Sequence, residues 1–154
     1  MFKKILVCLD GSKLAEAALP YAIEEAKRFE SELVLFRAYY EPLPTSPAVP
    51  GAVGVPVMTK RVAAHLVEDE KEVERYLKSL AGKLQKETKL AVSYDKAMGQ
   101  AGPAIVEYCG KQGVELIAIA SHGRSGLGRV VLGSVADYVT RHSSVPILLV
   151  RPAA

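Results

Sequence analysis

The chain has 154 residues, 49% of them hydrophobic and 24% charged, the balance of one globular domain and not of a disordered or fibrous chain. Lys and Arg number 20 against 17 Asp and Glu, a net charge of +3, and the interspersed signs with no basic block exclude a nucleic-acid-binding arm. Two cysteines, Cys8 in an apolar run and Cys109 in an expected helix, exclude a disulfide framework and a paired metal-ligand motif; they read as buried thiols in a reducing compartment.

The first apolar run, Ile5 to Leu9, is too short for the core of a signal peptide, and no later stretch approaches the ~18 apolar residues of a membrane span. A single cytoplasmic domain over 1–154, with no membrane and no nucleic-acid partner, is the expectation. Ile5 to Leu9 is a strand closed by Asp10-Gly11-Ser12. Leu14, Ala18, Ala22, Ala26 and Phe29 then recur at helical spacing, with Ser12 as N-cap. Pro20 falls inside that pattern and predicts a kink.

Leu33 to Tyr39 is the second strand. The stretch 41–61 holds five of the nine prolines with Gly51 and Gly54, which excludes regular structure and leaves a mobile loop or a lid over a bound molecule. A long helix follows from Val62 to about Glu87, its stripe formed by Leu66, Val73, Leu77, Leu80 and Leu84. Leu90, Val92 and Tyr94 alternate with polar residues, the mark of a strand solvated on one face and hence at a sheet edge. Gly99 to Pro103 makes a turn into a helix over Ala104 to Lys111, ended near Gly110 and Gly113. Val114 to Ala120 is a fourth, continuously apolar strand. A helix from about Leu132 to His142 and a last strand, Pro146 to Val150, complete the chain. The βα alternation demands an open five-stranded parallel sheet of order 3-2-1-4-5 with helices on both faces. Its ligand crevice lies between strands 1 and 4, where the direction of winding reverses.

The segment Ser121-His122-Gly123-Arg124-Ser125-Gly126-Leu127-Gly128 leaves strand 4 at that crevice. It misses a Walker loop, since Arg129 and Val130 replace the lysine and hydroxyl, and it misses a dinucleotide fingerprint, since Val131 replaces the third glycine. Glycines that let backbone amides approach an anion remain, with a helix N-terminus behind them and Arg124 and Arg129 as added charge. The acids Glu68, Asp69, Glu70, Glu72 and Glu74 read as the wet face of the long helix, and neither a catalytic triad nor a metal cluster is visible.

Gly123, nine residues, then Gly133-Ser134 resembles the nucleotide motif of the universal stress protein family: glycine, two residues, glycine, nine residues, glycine, serine or threonine. The likeness extends to Ile5 through Ser12, to the Gly99–Ile105 turn, to Glu115-Leu116-Ile117 and to Val145 through Val150. Ala120 departs from the motif, adding a methyl where its first glycine stands. The resemblance implies a Rossmann-like fold of the adenine nucleotide alpha hydrolase type. It also implies a site for ATP, AMP or cyclic AMP, with or without Mg2+. Carried over by position, Leu9 and Asp10 lie against the adenosine and Ala38 touches the adenine. Gly123, Arg124, Ser125 and Gly126, with Gly133, Ser134 and Val135, hold the phosphates, and Ala120, Ser121 and His122 join the site where strand 4 passes close to the nucleotide. It implies further a homodimer paired through the last strand (Val145, Ile147, Leu149), whose apolar edge invites pairing on physical grounds as well. Three readings stay open: a regulatory nucleotide-binding module, a slow ATP hydrolase, and a dimeric interaction protein that binds no nucleotide.

Overall fold

The computed structural model describes residues 1–39, 70–121 and 132–152. Five strands, β1 (Lys4–Cys8), β2 (Glu32–Tyr39), β3 (Val92–Met98), β4 (Leu116–Ala120) and β5 (Ile147–Val150), form one sheet of order β3-β2-β1-β4-β5. Every pairing is parallel, in the order read from the sequence.

The helices are α1 (Lys13–Glu16), α2 (Leu19–Phe29), α3 (Glu70–Thr88), α4 (Ala101–Gln112) and α5 (Ser134–His142). Side chains alternate across the pleat, and the central strands therefore feed two cores. Ile5, Val7, Leu33 and Leu35 pack with Ala15, Ala22, Ala26, Val73, Leu77 and Leu84 of α1 to α3. Leu6, Cys8, Val34 and Phe36 pack with Ile105, Cys109, Ala136 and Val139 of α4 and α5. Helices thus cover both faces, and both cysteines are free and buried.

Pro20 does not kink one helix; the chain breaks into two. Ala17 and Ala18 close α1 with tight bonds to Leu14 (3.2 Å) and Ala15 (3.2 Å), and Ala22 N–H opens the next ladder to Ala18 (3.0 Å). Pro20 then stands in the first turn of α2, where its missing N–H has no intrahelical acceptor to lose. Ser12 caps α1 as expected, accepting from Ala15 N–H at 3.1 Å.

Several ends move. The long helix ends at Thr88, and its expected start, with Leu66, lies outside the described residues, as does the stretch 41–61. Helix α4 begins at Ala101, three residues before the expected start, since extended Gln100 follows the Gly99 turn (φ +132°). It runs through Gly110 to Gly113, whose φ of +65° ends it. Strand β4 begins at Leu116, since Val114 and Glu115 only approach the sheet, with Glu115 N–H donating to Lys4 at 2.9 Å.

The two sheet edges differ. On β3, Lys96 reaches across to Glu74 and to Glu70 of α3 (3.3 Å). On β5, Leu149 is 41% exposed. No helix among the described residues is long and apolar enough to cross a membrane.

Candidate functional site

The chain leaves the sheet in opposite directions after β1 and β4, and a cleft of about 450 Å³, its open mouth included, lies there. Leu9, Asp10, Phe36, Ala38 and Ala120 form the strand-end wall, Ala101 and Ile105 come from α4, and Val135 and Ala136 come from the first turn of α5. Ala101 and Ile105 meet the cleft because residues four apart share a helix face. Phe36 is fully buried and is backed by Tyr108 of α4, ring centroids 4.6 Å apart. Burial, with the charge of Asp95 beside it, pushes the Tyr108 phenol up to about 12.

Asp10 sits at the mouth, on a turn built by local hydrogen bonds. Its Oδ1 accepts from Ser12 N–H at 2.8 Å, and Ser12 Oγ in turn caps α1. Gly11 between them has φ +84°, a conformation glycine adopts without steric cost. The wall is otherwise apolar except for Cys8, whose thiol burial pushes up, the neighbouring Cys109 adding to it.

Of the residues expected at the site, the structure brings together Leu9, Asp10, Ala38, Ala120 and Val135. Ser121 is buried and turns to β5, its N–H 2.8 Å and its Oγ 3.5 Å from the Val150 carbonyl. Gly133 is the N-cap of α5 and Ser134 its first residue, beside the cleft and not among its lining. His122, Gly123, Arg124, Ser125 and Gly126 lie outside the described residues. Among the described residues no cluster of His, Cys, Asp or Glu is placed to hold a metal ion.

The model of the Universal stress protein family matches residues 1–151. The chain belongs to the universal stress protein family. It is 33% identical to Universal stress protein YxiE of Bacillus subtilis, over 98% of this chain and all of that one. A universal stress protein solved in complex with cAMP shares the fold at TM-score 0.69 and 20% identity, over 97% of each chain. A family protein of Arabidopsis thaliana solved with AMP bound does so at TM-score 0.65 and 13% identity, over 99% of this chain and 93% of that one.

Cys8, Ala15, Phe36, Ala101, Ile105, Ile119 and Ala136 also line the cleft and were not legible as site residues. Each is an apolar residue, and all but Ala101 stand in apolar strand or helix patterns. Ala101 and Ile105 alone carried a signal, lying within the Gly99–Ile105 turn of the family pattern.

Proposed function

We propose that this protein is a cytoplasmic regulatory module that binds an adenine nucleotide (ATP, AMP or cyclic AMP) at the carboxyl end of its sheet. The observation that carries this reading is the backbone at Ala38. Leu9 N–H donates to the Phe36 carbonyl at 2.9 Å, so Phe36 turns its polar groups toward β1. Alternate residues face the same neighbour, and Ala38 therefore offers its N–H and C=O on that side too, beyond the last β1–β2 pair, Cys8 with Phe36. A donor and an acceptor on one residue match the ring nitrogen and amino group of adenine, read along its Watson–Crick edge.

The rest of the cleft fits the same ligand. Ala15, Ala38, Ala101, Ala120 and Ala136 leave room for a flat ring, and Leu9, Ile105, Ile119 and Val135 supply apolar contact. The Asp10 carboxylate is an acceptor for ribose hydroxyls. The first backbone N–H groups of α5 have no intrahelical partner and favour a phosphate. His122, Gly123, Arg124, Ser125 and Gly126, with Gly133 and Ser134, extend that phosphate site on the family pattern. The cAMP and AMP bound by two proteins of this fold support the reading. A homodimer through the apolar edge of β5 would let partners read the occupied state.

Thermal unfolding with each nucleotide, with and without Mg2+, tests the proposal. Ligand at a hundredfold excess over Kd adds about 2.7 kcal/mol to stability, so a saturable rise in midpoint is expected for at least one nucleotide. No rise for any of them at millimolar concentration overturns it.

Ala120 favours a second reading, an interaction protein that works through β5 without nucleotide. Its methyl stands in the cleft wall where the family motif has glycine. An Ala120→Gly variant that gains a midpoint rise absent from the wild type would decide for this second reading.

A further inference from the structure

We infer that Arg37 is a positioning residue for the Asp10 turn, tying the nucleotide site to α3 on the opposite face of the sheet. The ligand concerned is the adenine nucleotide of the proposed function, on which this inference rests.

The pleat sends Phe36 and Ala38 toward the cleft and Arg37 the other way. The Arg37 guanidinium then lies against the backbone of Gly11. A Cβ added at Gly11 would stand 2.6 Å from Nη1 and 2.9 Å from both Cζ and Nη2. Gly11 is required by its φ of +84°, and the guanidinium packs where its side chain would start. The guanidinium carbon is also 5.5 Å from the centre of the Tyr76 ring in α3, within cation–π reach. Tyr76 Oη donates to Glu16 Oε1 at 3.1 Å, and Lys13 Nζ holds the other carboxylate oxygen at 2.7 Å. Burial, then the neighbouring Glu16 charge, pushes the Tyr76 phenol well up, so it stays a donor at neutral pH.

Contacts thus run from the turn through Arg37 and Tyr76 to Glu16, and so back to the helix that the turn begins. Tyr76 packs with the core of the α1–α3 face and is not among the residues that line the cleft. Arg37 and the turn give its ring one path to the nucleotide, and Glu16, next in the chain to cleft-lining Ala15, gives another. A planar guanidinium fits between a peptide and an aromatic face where a hydrated ammonium does not, so lysine is not an equivalent.

Amide exchange at Ser12 reads the turn without ligand, since that N–H is bonded to Asp10 at 2.8 Å. Arg37→Met and Arg37→Lys are each expected to speed it, and to weaken AMP binding, by about tenfold, the size of one lost cation–π contact. Tyr76→Leu, at a residue outside the cleft lining, is expected to speed the same amide. In isotope-labelled wild type the Tyr76 ring signals shift on adding AMP, and in Arg37→Met at saturating AMP they shift less. Wild-type exchange at Ser12 in both Arg37 variants overturns the inference. Faster exchange with unchanged AMP affinity overturns the link to the site. Failure of the wild type to bind AMP, ATP or cyclic AMP overturns the nucleotide reading instead; the ligand-free exchange result then stands by itself.

Discussion

A Cβ placed on Gly102 of α4 would stand 2.7 Å from Cδ1 of Tyr138 in α5. The two helices meet backbone to ring at that point, and Tyr138 is held in turn by stacking on His142 at 4.0 Å. Ala101, next to Gly102, and Val135, one turn before Tyr138, both line the cleft. Gly102→Ala is expected to wedge the helices apart, costing about 1–3 kcal/mol as overpacking does, and to weaken nucleotide binding at the same time. Chemical denaturation and calorimetry check the two effects. A stable variant with unaltered binding would show that the helix pair does not set the width of the cleft.

The two cysteines should part company when the cleft is filled. Cys8 lines it and Cys109 does not. Burial raises both thiols, Cys109 to about 11 and Cys8 further. Little thiolate is therefore present at neutral pH, and labelling by iodoacetamide is expected to be slow at each. AMP should slow Cys8 alone, as followed by mass spectrometry of the labelled peptides. Equal slowing at both positions would report overall stabilisation and not occupancy of the cleft.

The Lys96 clamp makes a pH-dependent contribution whose sign is fixed. Its hydrogen bond and charge hold Glu74 below the usual carboxylate range, and bonds to Glu74 and Glu70 hold Lys96 above the usual lysine value. The lowered acid stabilises the fold above its unfolded pKa and stops doing so as pH falls through the folded one. The raised lysine stabilises below its unfolded pKa and stops as pH rises through the folded one. Lys96→Met should therefore be less stable than wild type at neutral pH, by the modest amount of an exposed pair. The gap should close below about pH 4, where carboxylates protonate. Urea midpoints across pH test this, and a gap that persists in acid counts against it.

Leu149 is the exposed apolar residue of an edge strand. Leu149→Lys places a charge on that edge, a device that blocks strand pairing between chains. Sedimentation is expected to show twice the 16.6 kDa chain mass for the wild type and a single chain for the variant, with nucleotide binding kept. The same mass for both proteins would remove β5 as the pairing strand.

Strand order was legible because the third strand alternates while the first and fourth are continuously apolar, which separates an edge from a centre. The break before Pro20 was not legible, since the apolar spacing Leu14, Ala18, Ala22 runs straight across it and hides two helices as one. At the site, Asp10 and Ala38 came through the family pattern. Phe36 and Ile119 did not, because a residue lining a cleft and a residue filling a core look alike in a periodic apolar run. Arg37 was visible all along as the one charge among the residues of Leu33–Tyr39, and only the packing of its guanidinium on Gly11 gives that charge a purpose.

The two faces of β2 carry different duties on consecutive residues: Phe36 and Ala38 wall the cleft, and Arg37 braces the turn from behind. The side-chain period of a strand is two, so loss of one residue between Glu32 and Phe36 would exchange these faces wholesale. Arginine would then project into the cleft, and the brace would become a methyl. Strand β2 is also hydrogen-bonded on both sides, to β1 over Lys4–Cys8 and to β3 over Val92–Met98, so a slip cannot be absorbed locally. Descendants of this chain can vary in length between their strands, but a single-codon deletion inside β2 would remove the site and its support in one step.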